Sequence, residues 1–216
     1  MKIIKKNKNT QLAIILILLL FLLGGKLPKK NLFQSILNIS KGTIVENGVK
    51  IVRENSLDSE KSLQQILNDL NIEKEQIKDC RETEKIAIIE FEKENLRGYI
   101  QQENIRDKKL SRTTMVLIEE NLEDVLETLK ESGKQILKGN VKMYSYMKVK
   151  INTEDLDKLN KKIIENINDS SESIDTIKIT NGYSNFLEKS SFQYVLANYS
   201  SGSYLIMGEP QIFELY

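Results

Sequence analysis

VKMYSYMKVKI, residues 141–151, carries the plainest strand signature in the chain. Val141, Met143, Ser145, Met147, Val149 and Ile151 fall on one face, and Lys142, Tyr144, Tyr146, Lys148 and Lys150 on the other. A period of two with one apolar side describes a strand in a sheet that is packed on one face and wet on the other. Helical segments flank it. Residues 122–137 carry the stripe Leu122, Val125, Leu126, Leu129 and Ile136, with Asn121 as N-cap and Asp124 at the third helical position. Gly133 lies inside that helix. It costs about 1 kcal/mol relative to alanine, so close packing is expected there. After the strand, Asn152 or Thr153 caps a helix running to about Asn166, with Leu156, Leu159, Ile163 and Ile167 inward.

Further out, the same reading continues in both directions. Towards the C-terminus, residues 174–180 predict a strand. Residues 192–199 and 204–207 predict a hairpin about the Ser200–Ser203 turn, and Pro210 breaks the chain before a closing edge or end strand over 211–216. Towards the N-terminus, residues 84–92, 96–102 and 113–119 predict strands, with a turn at Glu94-Asn95 and a charged connection at 107–111. Residues 58–71 predict a helix with Leu63, Ile66, Leu67 and Leu70 on one face and Ser56, Asp58 and Ser59 as competent caps. Val49–Arg53 reads as a strand. Residues 31–42 predict a helix with Leu32, Phe33, Ile36 and Leu37 on one side, continuing to an Asn47-Gly48 cap. A hairpin turn at Asn47-Gly48 is the alternative.

The halves 31–120 and 121–216 repeat an order of helix, strand, capped helix and three or more strands. Consecutive strands pair antiparallel through short turns, and helices with one apolar face must cover one side of the sheet. The expected fold is therefore α+β: a curved antiparallel sheet with helices on its convex face, in which two similar halves form a saddle.

Residues 1–30 form a separate leader. LAIILILLLFLL, residues 12–23, has no charged or polar side chain, and Lys2, Lys5, Lys6 and Lys8 precede it. A basic leader followed by a short apolar core is the layout of an export segment, with the N-terminus inside and the following domain outside. The core is shorter than the roughly 20 residues of a usual span. No A-x-A-like site follows it, and no cysteine stands just after it as a lipoprotein would need. The expectation is a single-pass membrane anchor bearing an extracytoplasmic domain, with secretion after cleavage as the alternative.

Charge follows the same division. Residues 1–30 hold seven lysines and no acid, which leaves 25 basic and 31 acidic residues beyond them, a net charge of −6. Polyanion binding draws on a clustered positive field, so duplex DNA is disfavoured. Histidine is absent, and Cys80 is the only cysteine, which excludes an intrachain disulfide and a cysteine-based zinc site. A lone cysteine of this kind is expected to be buried and inert. Ser200, Ser201 and Ser203 lie outside any G-x-S-x-G, the EF-hand loop pattern and a phosphate-cradling glycine loop are missing, and no spacing singles out a pair of carboxylates. No catalytic residue, cofactor or metal is expected.

The candidate binding face is Lys142, Tyr144, Tyr146, Lys148 and Lys150, joined by Lys178 and Thr180 from a neighbouring strand. Lysines alternating with tyrosines offer cations and rings to a single strand or a groove. They also describe an ordinary solvated sheet face. Glu82, Glu84, Glu90 and Glu92 in the matching part of the first half would repel phosphate.

YVLANYSSGSYLIMGEPQIFELY, residues 194–216, resembles the closing stretch of the YwmB family of Gram-positive bacteria. There a strand, a turn, a second strand, a Gly-x-Pro step and a terminal acidic-x-Tyr recur, matched here by Gly208, Pro210, Glu214 and Tyr216. The export segment and the order of elements resemble that family too. The resemblance implies a saddle similar to the TATA-box-binding protein and an exported or membrane-anchored protein without established activity. Together these readings predict a non-enzymatic envelope protein that binds a protein or a cell-wall polymer through its sheet. The alternatives are nucleic-acid binding through the saddle and a carboxylate-dependent cell-wall enzyme.

Overall fold

The computed structural model describes residues 31–56, 61–105, 110–153, 155–168 and 173–214. The apolar stretch 12–23, the caps Asp58 and Ser59, most of the 107–111 connection and Tyr216 lie outside the described residues. The elements are α1 (Leu32–Ser40), β1 (Thr43–Ser56), α2 (Leu63–Asp69), β2 (Ile77–Glu82), β3 (Ile86–Lys93), β4 (Leu96–Ile105) and β5 (Leu110–Glu119). Then come α3 (Leu126–Ile136), β6 (Val141–Ile151), α4 (Leu156–Asn168), β7 (Ile174–Ile179), β8 (Gly182–Leu187), β9 (Phe192–Tyr199) and β10 (Gly202–Glu209). Among the described residues these make an α+β protein with one open, ten-stranded antiparallel sheet.

The strand order is β2-β3-β4-β5-β1-β6-β10-β9-β8-β7. Outward from the centre it reads 1-5-4-3-2 on one side and 6-10-9-8-7 on the other. In each half a helix leads into the central strand, a second helix follows, and a four-strand meander returns to pair with that central strand.

Register sorts the side chains onto two faces. Ile51 pairs with Met115 and Met143, and Val49 with Leu117 and Ser145. Val149 pairs with Leu205, which pairs with Leu196. This face is buried under helices. α3 packs on β1 and β6, and α4 on β8 and β9. Phe33 of α1 meets Phe192 edge-on with centroids 5.0 Å apart, and Gln102 of β4 donates to the Lys61 carbonyl just before α2 at 2.6 Å. All four helices therefore address one face. Gly133 lies where α3 touches β1, and a Cβ there would overlap Ile51 Cδ1, the close packing that a glycine within a helix implied.

Several boundaries differ from the sequence reading for local reasons. α1 ends at Ser40, where Lys41 takes a positive φ of 52° and its N–H donates to the Leu37 carbonyl at 3.0 Å. Asn47-Gly48 is neither helix cap nor hairpin turn but mid-strand in β1. Gly48 lies in register between Ile118 and Tyr146. A Cβ there would come within 2.9 Å of Tyr146 Cδ1, so the missing side chain makes room for the ring. Two paired neighbours outweigh the local turn preference of the dipeptide. α2 starts at Ser62, whose side chain forms a capping box with Gln65. α3 starts at Leu126 because Asn121 Oδ1 accepts from Glu123 N and Asp124 Oδ1 from Leu126 N, which holds turns rather than helix. Leu122 is consequently 73% exposed instead of part of a stripe. Cys80, expected to be buried, is exposed on the edge strand β2. Residues 211–214 are not a strand. β10 already has β6 and β9 as neighbours, so no free edge is left beside it to extend.

Candidate functional site

The helix-free face of the sheet contains a row that crosses six strands in register: Gln193, Gly208, Tyr146, Gly48, Ile118 and Arg97. Two glycines in that row leave a trough in the sheet surface. The chain's own segment 210–214 lies in it. After β10, residues 210–214 leave the ladder and pass over the row as a strap. A Cβ on Gly208 would come within 2.5 Å of Ile212 N, so the strap rests directly on that glycine. Ile212 N–H donates to Gln193 Oε1 at 3.1 Å. The Phe213 ring tilts against Tyr146 with centroids 5.7 Å apart. Glu214 Oε1 lies 3.5 Å from Arg97 Nη1.

A polar cluster anchors this floor. The Tyr146 hydroxyl donates to Glu46 Oε2 at 2.9 Å. Glu46, with a side chain only 13% exposed, also lies 3.6 Å from Arg97 Nη2 and 3.7 Å from Lys148 Nζ. Lys148 sits 5.0 Å over the Tyr204 ring. Two cations thus compensate a largely buried carboxylate, as burial of such a charge requires. Arg97 reaches Glu120 at 4.0 Å as well. Nearby, burial and then the Glu214 charge push the Tyr99 phenol above its ordinary range. The arrangement offers a hydrogen-bond acceptor, an aromatic surface and a carboxylate-binding guanidinium along one line. These are recognition groups for an extended chain.

The residues expected from sequence fare unequally. Lys142, Tyr144, Lys148 and Lys150 lie on the helix-free face of β6, the strand beside the sheet centre. Lys50 of β1 stacks over Tyr144 at 5.6 Å. Tyr146 shares their face but is fully buried, with the Phe213 ring of the strap against it. Lys178 does not join them. It pairs with Tyr183, Tyr183 with Leu196, and Leu196 with Leu205 opposite Val149, which places it on the helix-bearing face. It is also four strands from β6, about 19 Å at strand spacing. There it lies 6.0 Å over Tyr183, whose hydroxyl bonds Asp157 of α4. Thr180 falls in the turn after β7.

Carboxylates neutralise most cations on the first half of this face. Arg112 pairs with Glu54 at 2.8 Å and Glu103 at 3.5 Å, Lys78 with Glu92 at 3.1 Å, and Arg81 with Glu90. At its β7–β8 edge the second half of the face carries exposed apolar groups. Ile177, 65% exposed, stands beside Ile179 on β7 and diagonal to Phe186 on β8, and Tyr199 is exposed on the same face further along β9. Sequence reasoning missed Glu46, Arg97 and Gln193, which only the strand order brings together, and named Glu214 in the closing motif without a contact for it.

Among the described residues, then, the fold and site define a class: an α+β protein with an open antiparallel sheet whose helix-free face is partly strapped by its own C-terminal segment. No protein-family model matches the chain, and no curated protein matches it in sequence.

Proposed function

We propose that the protein is an exported, membrane-tethered binding protein that takes a protein or cell-wall partner on the helix-free face of its sheet and catalyses no reaction. The observation that carries this reading is the exposed apolar group of Ile177, Ile179 and Phe186 on the adjoining strands β7 and β8. Grouped exposed apolar side chains mark interaction surfaces, whereas scattered ones do not. The tether is residues 12–23, whose apolar run behind a basic leader supports insertion. The duplicated saddle similar to the TATA-box-binding protein is supported by the matching strand orders of the halves. The likeness of residues 194–216 to the YwmB family supports it as well. The ion pairs of Arg81, Arg112 and Lys78 speak against a phosphate backbone as partner.

A photo-reactive benzophenone side chain installed at Phe186 of the full chain tests the binding reading in cells. The expected result is a discrete adduct that Ile177→Asp removes and that the same group at Leu122 does not form. No adduct at Phe186, or equal adducts from Leu122, overturns it. Protease added outside intact cells should digest the domain; complete protection overturns the exported topology.

A further inference from the structure

The geometry points to the kind of partner that the trough fits: an extended peptide segment in which an aromatic side chain is followed directly by a carboxylate. Residues 210–214 are its built-in competitor. This rests on the reading that the helix-free face is a binding surface, and it names the ligand class for one part of that face. The strap itself is the template. Its backbone N–H at Ile212 is held by Gln193, its ring at Phe213 by Tyr146 and its carboxylate at Glu214 by Arg97. None of these is a ladder hydrogen bond. Each is a side-chain contact that an incoming chain of the same chemistry reproduces.

Two further observations favour an outside occupant. The surface around residues 210–214 offers more room. Beside Glu214 lies an open cavity of about 250 Å³ also lined by Lys78, Arg97 and Tyr99. Beyond Gln193 the same row reaches exposed Phe186, its partner in β8. A longer peptide would therefore gain contacts that residues 210–214 do not make. Arg97 also meets the carboxylates of Glu46, Glu120 and Glu214. Of these only Glu214 arrives on the strap, so an incoming carboxylate can take its place while Glu46 stays with Tyr146. A tethered strap competes at a local concentration in the millimolar range, so the intact chain binds such a peptide weakly until the strap lifts.

The test is fluorescence anisotropy of a labelled peptide, GEPQIFE, titrated with the full chain in detergent. Wild type is compared with the strap-weakened variant Phe213→Ala/Glu214→Lys. The apparent Kd should fall at least tenfold in that variant, adding Arg97→Glu should cancel the gain, and a peptide with Phe and Glu replaced by Ala and Lys should not bind. Equal affinity in wild type and variant, or no binding to a variant with native circular dichroism, overturns the proposal. If the double variant does not fold, Ile212→Pro, which removes the strap's own N–H donor to Gln193, loosens the other end of the strap and must give the same direction of change. A failed titration with the Phe186 adduct intact defeats this inference alone. A lost adduct with the peptide bound defeats the cellular reading alone.

Discussion

Gly133→Val is expected to destabilise the protein by about 3 kcal/mol, the upper range for overpacking a filled core. That is a drop of about 6–12 °C in Tm for a domain of this size. The reason is local. A Cβ at position 133 would overlap Ile51 Cδ1 and sit 3.5 Å from Met115 Cε. Ile51 and Met115 are themselves fully buried and paired in register, so neither has open space to move into. Valine adds two methyl groups beyond that Cβ. The few tenths of a kcal/mol it gains over glycine in helix propensity are smaller than this clash. Gly133→Ala tests the contact more finely, because the offending atom is the far end of one side chain. Ile51→Val removes Cδ1 and normally costs about 0.5–1.5 kcal/mol. In the Gly133→Ala background it should cost less or stabilise, which a double-mutant cycle by denaturant unfolding reads as coupling. Gly133→Val within about 1 kcal/mol of wild type would mean that α3 does not press on β1 as described.

Asn160→Ala is expected to cost about 3–4 kcal/mol, through unmade hydrogen bonds rather than lost volume. Asn160 lies on the inner face of α4 and is buried. Its Oδ1 accepts from Asn185 Nδ2 at 3.0 Å and from the Tyr194 hydroxyl at 3.1 Å, and Asn185 Oδ1 accepts from Thr176 Oγ1 at 2.7 Å. Two amides, Asn160 and Asn185, thus join α4 to β7, β8 and β9. Alanine would strand two donors on residues that are fully buried. Tyr194→Phe should cost only about 1 kcal/mol, because Asn160 Oδ1 keeps its bond from Asn185. An Asn160→Ala effect no larger than that of Tyr194→Phe would sink the network account.

Tyr194 also gives this region a pH dependence. Burial raises its phenol above the ordinary value of 10. The folded state therefore holds the proton more tightly than the unfolded chain does. Its contribution is full below pH 10 and is lost as pH rises from there towards the folded value. Tm measured from pH 8 to pH 11 should fall more steeply in wild type than in Tyr194→Phe.

These two sites divide what the sequence could and could not reveal. Gly133 was legible because a glycine inside an amphipathic helix is a local anomaly with a local price. The strand at 141–151 was legible because its alternation is complete. Strand β8, GYSNFL, was not, since one of its two buried inward residues is Asn185, a polar group whose partners lie on other elements. Strand β2, IKDCRE, is an edge with almost every side chain exposed and shows no apolar period. Parity put Tyr146 on the correct face, but it could not show that residues 210–214 cover that face. The groups that hold the strap, Gln193 and Arg97, are brought together only by the strand order. The same order separated Lys178 from its supposed companions: alternation assigns faces within a strand, and only register relates one strand's faces to another's.

The position of β10 carries a consequence for how the molecule is completed. Of the ten described strands, the latest in sequence, β10, is not at a border; it slots between β6 and β9. Until residue 209 has emerged, the nascent chain presents two open flanks in its interior, each ready to pair with a foreign strand. Truncations ending before Gly202 should accordingly clump rather than settle as a smaller soluble body.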